Sequence, residues 1–332
     1  MSTSSFKAFV VNKTSEGFTA GLKDLTQTDL PVGEVLVKVA YSSVNYKDGL
    51  ASIPDGKVVR NYPHVPGIDL SGTVVESSDT RFKAGDEIIA TSYEIGVSHF
   101  GGFSEYARLK ADWIVPRPQG LTLKEAMALG TAGFTAALSV HQLQKNGLTP
   151  ANGPVLITGA SGGVGSIAIG IFKKLGYTIA ASTGKVEEHN YLKSLGVSDI
   201  LGRDETSAES TRPMEKERWA GSIDAVGGST LAYLLRSTKY GGSVAACGNT
   251  GGANVTTTVF PFILRGVDLL GIDSVNCPME LRRELWQQLA SEYKPASLLD
   301  SIGKETALEE LPHILAAILQ GSIRGRTIVR VG

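Results

Sequence analysis

Two glycine spacings overlap in the stretch PVLITGASGGVGSIAIG, residues 154–170. Gly159, Ser161 and Gly163 spell G-x-S-x-G, the spacing of a strand-to-helix elbow that presents a nucleophilic serine. Ala160, Gly162 and Gly165 spell A-x-G-x-x-G, one substitution from the fingerprint that cradles a dinucleotide pyrophosphate. The first would attack a substrate, and the second would hold a phosphate. Both need a strand before the loop and a helix after it, which PVLIT and SIAIGIF supply. The phosphate reading also needs a residue without a side chain at Gly162, where backbone approaches the pyrophosphate, and tight helix–strand packing at Gly165. Ser161, Gly163 and Val164 complete that loop, and the helix N-terminus adds free N–H groups and positive dipole.

Residues further along separate the two readings. An NAD site expects a carboxylate about 20 residues after the glycines, to bind the ribose 2′-OH. Ser182, Thr183, Gly184 and Lys185 stand there, and no carboxylate appears before Glu187. Hydroxyls, a glycine amide and a lysine suit a 2′-phosphate, which favours NADP(H) over NAD(H). Arg203, after the next helix, offers a second cation. The nucleophile reading draws on HFGG at 99–102, similar to an esterase oxyanion loop, and on Asp224 and His313 in Ser–Asp–His order. An esterase elbow does not need Gly162 and Gly165 together, and His313 sits in the apolar run LPHILAAIL, where helix packing is the plainer role.

The elements that would carry this loop follow from pattern. The chain has 332 residues, 42% hydrophobic and 20% charged, enough for about two globular domains. Its 39 glycines fit a fold with many turns. A formal charge of −1 without a long basic block argues against nucleic-acid or membrane-surface binding. The N-terminus lacks the layout of a signal peptide, and no apolar run approaches the roughly 18–20 residues of a membrane span. A cytoplasmic protein is expected. Cys247 and Cys277 form no C-x-x-C pair and read as small buried hydrophobes.

Residues 1 to about 125 read as strands: VGEVLVKVAYSSVN alternates with period 2, and GIDLSGTVVES, AGDEIIATS and FSEYARLKADWIVPRP add short apolar runs. Thr122 with Glu125 marks a capping box ahead of a helix that breaks around Gly130 and Gly133. From PVLIT onward strands and helices alternate, the signature of a parallel sheet covered by helices. STLAYLLRSTKYGG reads as one of those helices. RDETSAESTRPMEKERW reads as a solvated loop or exposed helix. After about 275 two helical stretches precede GRTIVRVG, a strand able to return to the first domain.

The motifs VNYKDG, PHVPGIDLSGTV, FKAGDEI, GGFSEYA, GTAGFTAA, TGASGGVG, VAACGNTGG and GRTIVRVG together resemble the medium-chain dehydrogenase/reductase superfamily over nearly the whole chain. The resemblance implies an α/β protein. Residues 1–125 with 276–332 would form a GroES-like catalytic β domain, and 126–275 a doubly wound Rossmann NADP-binding domain. Zinc-dependent relatives carry ligands where this chain has Asn45, Ile68 and Asp69. The chain is therefore similar to the zinc-free quinone-oxidoreductase branch, and within it to the acrylyl-CoA reductase group.

Without a Lewis acid the favoured acceptor is conjugated: hydride reaches the β-carbon and charge delocalises to a distant oxygen. The resemblance places Tyr46 beside the cofactor as the donor to that oxygen, with Asn45 holding ribose or substrate and Asp48 orienting the loop. It implies that Thr131 and Thr135 lie near the nicotinamide and phosphates, that Asn249 lies on the nicotinamide side, and that Ile263 and Ser274 close that pocket. Arg326 either reaches the cofactor or holds the terminal strand. Lys57 and Arg60 either meet CoA phosphates or are surface charges. Three functions stay open: reduction of a small enoyl-CoA such as acrylyl-CoA, reduction of quinones or enones, and non-catalytic NADPH sensing. A homodimer joined by Rossmann edges is implied.

Overall fold

The computed structural model describes residues 5–208, 210 and 212–332. The start of the N-terminal stretch read for a signal peptide, and Glu209 and Thr211 of the polar stretch, lie outside them.

β1 (Phe6–Thr14) and β2 (Gly17–Leu25) form a hairpin. β3 (Val35–Val44), the short α1 (Tyr46–Ala51), β4 (Asp69–Ser77), β5 (Glu87–Thr91), β6 (Tyr106–Leu109) and β7 (Ile114–Pro116) follow. Val35, Val37 and Val39 are fully buried, as the period-2 pattern of β3 predicts. α2 (Leu123–Lys145) opens on the expected capping box: Glu125 N–H donates to Thr122 Oγ1 at 3.1 Å, and Thr122 N–H donates to the Glu125 carboxylate at 2.8 Å. Its helical backbone breaks at Gly130, with φ 53° and ψ −156°.

Next come β8 (Val155–Ile157), α3 (Gly163–Lys174), β9 (Ile179–Thr183), α4 (His189–Leu195), β10 (Asp199–Gly202), α5 (Arg203–Ser207), β11 (Trp219–Asp224), α6 (Gly228–Ser237), β12 (Thr238–Ala246), α7 (Phe260–Arg265) and β13 (Asp268–Gly271). α8 (Met279–Ala290), β14 (Gly303–Ala307), α9 (Leu311–Leu319) and β15 (Arg326–Arg330) close the chain.

Among the described residues these elements form two compact units. One takes the described part of Met1–Thr131 with Val275–Ala290 and Gly303–Gly332. The other takes the described part of Ala132–Ser274 with Ser291–Ile302. In the first, a seven-stranded sheet runs β14-β15-β3-β4-β5-β7, with β6 also on β3. β15 returns to pair antiparallel with β3, Thr327 opposite Val44. Phe9, Val37, Leu70, Ile88, Phe103 and Val329 are core residues there. In the second, a six-stranded parallel sheet runs β10-β9-β8-β11-β12-β13. That is the doubly wound order, with its switch point beside β8.

Two sequence expectations change. STLAYLLRSTKYGG is helical only to Ser237, because Thr238 already starts β12. Residues 291–302, expected with the β domain, pack on α3 and α2 instead. Lys174 Nζ donates to Ser291 O at 2.6 Å, Tyr293 Oη donates to Gln144 at 2.6 Å, and a Cβ on Gly170 would stand 2.7 Å from Pro295.

Candidate functional site

The glycine loop sits at the C-terminal end of β8 and runs into α3. Gly162 is the N-cap and carries no capping side chain, while the first turn-closing bond is Ser166 N–H to Gly162 O at 2.9 Å. The N–H groups of Gly163, Val164 and Gly165 therefore have no acceptor within the helix. A Cβ at Gly162 would meet only Gly159 O, at 3.3 Å, so the mouth of the loop is open. A Cβ at Gly165 would lie 2.6 Å from Ala160 Cα. That closeness seats α3 against the strand. An open row of N–H donors at a helix N-terminus fits a pyrophosphate.

β9 ends on Ser182 and Thr183 beside this loop, with Ala160 N–H donating to Ser182 O at 3.3 Å. Ser182 Oγ shares a hydrogen bond with Thr206 Oγ1 at 2.7 Å, and Thr183 Oγ1 accepts Lys185 N–H at 3.1 Å. Because β10 runs parallel to β9 with Gly202 opposite Thr183, Arg203 falls next to Gly184. A Cβ on Gly184 would be 2.8 Å from Arg203 Nε, so the guanidinium lies across a bare glycine. Arg203 is exposed and Lys185 half-buried. A hydroxyl, a glycine and two cations at the end of the second strand fit a ribose 2′-phosphate.

Thr135 and Ser274 are brought together: Thr135 Oγ1 donates to Ser274 Oγ at 2.9 Å. Asn249 is exposed just after β12, and Ile263 is exposed on α7. Each candidate partner of the hydrolase reading has another role or setting within its own unit. The Asp224 carboxylate accepts Thr158 Oγ1 at 2.5 Å and the N–H groups of Val226 and Gly227, and His313 is exposed on α9. The Cys247 thiol donates to Asp224 O at 3.2 Å, and burial pushes its pKa up to about 12.

In the other unit a buried polar network gathers around Asp69. Its Oδ2 accepts Ser43 Oγ at 2.7 Å, Asn45 Nδ2 at 2.7 Å and Thr131 N–H at 2.9 Å. Its Oδ1 accepts Thr131 Oγ1 at 2.5 Å, and Arg326 Nη2 lies 3.5 Å from Oδ2. Arg326 also donates to the carbonyls of Ala128 and Val44, to Asn45 Oδ1 and to Ser43 Oγ. Gly130 makes the arrangement possible, since a Cβ there would stand 2.4 Å from Asp69 Oδ2 and 2.6 Å from Arg326 Nη2. This donor set does not fit a zinc ion. Ile68 offers no ligating atom, and a guanidinium with four further donors already converges on Asp69.

The network bears on two expectations. Arg326 is 3% exposed and its donors are taken up within its own unit, which favours the second of its two readings, holding the terminal strand against β3. Asn45 has both amide hydrogens on Asp69 and Asp48, at 2.7 and 3.3 Å, contacts that favour a role in positioning α1. Asp48 is the third residue of α1. It accepts Asn45 N–H at 2.8 Å and Ile68 N–H at 3.0 Å, while burial, and then the nearby Asp69 charge, raise its pKa to about 7. α9 supports α1 from behind, where a Cβ on Gly49 would be 2.8 Å from Ile318. Tyr46, first residue of α1, is 47% exposed, and its hydroxyl makes no hydrogen bond among the described residues. The roles of Ser43 and Gly130 were not readable from sequence. Only the helix break marked Gly130.

Residues 31–119 match the alcohol dehydrogenase GroES-like domain and residues 163–292 the zinc-binding dehydrogenase domain. The chain is 53% identical to acrylyl-CoA reductase AcuI of Ruegeria pomeroyi, over 98% of this chain and 99% of that one. It is also 53% identical to YhfP of Bacillus subtilis, provisionally named a quinone oxidoreductase, over 98% and 99%. The crystal structure of YhfP with NAD bound superposes with a TM-score of 0.96, covering 99% of this chain and all 100% of that one. That of YhdH from Salmonella enterica in complex with NADP gives a TM-score of 0.95 at 47% identity, covering 98% and 100%. The chain belongs to the medium-chain dehydrogenase/reductase family.

Proposed function

We propose that the protein is an NADPH-dependent reductase of conjugated carbon–carbon double bonds, with a small enoyl-CoA of the acrylyl-CoA type as substrate. The observation that carries the reading is the phosphate-binding half-site, an open α3 N-terminus with Arg203 lying across Gly184. Identity of 53% to a named acrylyl-CoA reductase supports the acceptor. Lys57 and Arg60, exposed on the loop after α1, are cations available to the CoA phosphates.

NADPH supplies the hydride when bound. The glycine loop, Ser182, Thr183, Lys185 and Arg203 hold its phosphates, and Thr135, Ser274, Asn249 and Ile263 are assigned to its nicotinamide end. Asn45, Asp48, Asp69, Thr131 and Arg326 fix α1 so that the Tyr46 hydroxyl can donate a hydrogen bond or proton to the substrate oxygen as negative charge develops there. Tyr46→Phe is expected to lower turnover about 100-fold while leaving NADPH affinity near wild type. Unchanged enoyl reduction in that variant would remove Tyr46 from proton transfer.

A quinone is the second acceptor we weigh, because YhfP carries that name. Loss of NADPH absorbance with acrylyl-CoA, with a small quinone and with no acceptor decides among the readings. Turnover only with the thioester supports the first, turnover only with quinone supports the second, and binding without turnover would make the protein a sensor. We place the enzyme in the cytoplasm as a homodimer. No described helix is long and apolar enough to cross a membrane. β13 ends the parallel sheet, and Val259, Ile263, Leu264 and Leu269 beside it are exposed, a patch suited to a second copy.

A further inference from the structure

Arg236 lies in the last turn of α6, is 8% exposed, and its Nε has no hydrogen-bond partner among the described residues. A buried N–H of a charged group left without an acceptor is costly, and native chains satisfy such groups. Among the described residues, neither carboxylate of the same wall hydrogen-bonds the Arg236 side chain. Glu205 accepts Arg218 Nη1 at 2.6 Å, and Glu215 accepts Ser210 Oγ at 2.8 Å. Serving the end of α6 does not explain Arg236 either. Arg265 Nη1 donates to Arg236 O at 2.9 Å and Thr238 O at 3.2 Å, while Arg218 N–H donates to Ser237 O at 2.8 Å.

Arg236 faces a concavity of about 420 Å³ whose wall also carries Arg212 and Arg218. Among the described residues, three guanidiniums and two carboxylates line it. Tyr233 Oη accepts Arg218 Nη1 at 3.3 Å, which leaves the phenol proton free to donate. The place in the sheet is also informative. The adjoining wall contains Asp199, which starts β10, and Trp219, which starts β11. β8 runs parallel to β11, and the glycine loop leaves the far end of β8. The concavity therefore sits at the opposite end of the strands from the pyrophosphate loop, about 20 Å away along a six-residue strand.

We propose that this concavity is a second anion site, in which Arg236, assisted by Arg218, Arg212 and the Tyr233 hydroxyl, binds the phosphoryl or carboxylate group of a small metabolite. A planar guanidinium fork suits such an oxyanion, and partial burial strengthens the pairing.

The test uses the full-length protein saturated with NADP+, so that the phosphate sites of the loop are filled. Thermal melting is followed against inorganic phosphate and, separately, succinate, with sodium chloride at matched ionic strength as reference. A saturable rise in Tm is expected with at least one of the two and none with chloride. The anion that acts identifies the group as phosphoryl or carboxylate. Arg236→Met should abolish the rise and, without added anion, melt no lower than wild type, because the buried charge is gone. Arg212→Gln, at the exposed rim, should fold normally and weaken the anion about tenfold. The proposal is overturned if neither anion acts beyond chloride, or if both variants respond like wild type.

Discussion

At Gly184 one side chain bears on the proposed preference for NADPH. Arg203 crosses the glycine where an NAD-type site would place a carboxylate, and the register of β10 on β9 puts it there. A charged hydrogen bond to phosphate contributes about 1.5–3 kcal/mol. Arg203→Ala should therefore weaken NADPH roughly 10- to 100-fold and leave NADH unchanged, read by fluorescence titration with each nucleotide. Equal weakening of both would make Arg203 a general cofactor contact and leave selectivity unexplained. The spacing of the glycines and the missing acid let this half of the candidate site be proposed from sequence, because its residues lie close together along the chain. The Asp69 network was not legible. Arg326 and Ser43 are 283 positions apart, and no local pattern tells a cofactor-binding arginine from one that anchors a strand.

Among the elements, α2 carries the sharpest local constraint. Gly130 has both a backbone conformation reserved for glycine and the Asp69–Arg326 contact pressed against its Cα. Gly176, after α3, has φ +80° but nothing within 4 Å of a Cβ. Gly176→Ala should cost about 1 kcal/mol from the dihedral alone. Gly130→Ala should cost at least ~3 kcal/mol, since it also splits a buried ion pair. Urea denaturation of the two variants separates strain from collision, and equal losses would mean that the network yields freely. The same contrast explains which elements could be read in advance. The βα repeats, the capping box at Thr122 and the returning β15 announce themselves by periodicity or end signals. β14 does not, because GKETA has no apolar alternation and is specified by pairing with β15. Residues 291–302 join the parallel-sheet unit through Pro295 and Tyr293, contacts without a sequence signature.

For the whole molecule, association and pH response follow from what the surface exposes and what the core buries. If two copies meet along β13, Leu264→Glu with Leu269→Lys should halve the mass seen by light scattering, and an unchanged dimer would put the interface elsewhere. Inside the β unit, His64 is 2% exposed against Phe100, and burial lowers its pKa from 6.5 to about 4. A neutral native imidazole binds fewer protons than the unfolded chain between those values. Its contribution is thus complete above pH 6.5 and is lost as pH falls toward 4. Asp48 acts in the opposite sense, because its pKa is raised from 3.8 to about 7, and its contribution is lost as pH rises through 7. Over much of the same window the two oppose each other, so the wild-type curve alone conceals both. The difference between wild type and His64→Leu isolates the imidazole. Relative to the variant, wild type should lose up to about 3 kcal/mol between pH 7 and 4, since each tenfold change in proton affinity is worth about 1.4 kcal/mol. Urea midpoints at several pH values measure it, and a pH-independent difference would mean that His64 is protonated in place or reached by water in the native state.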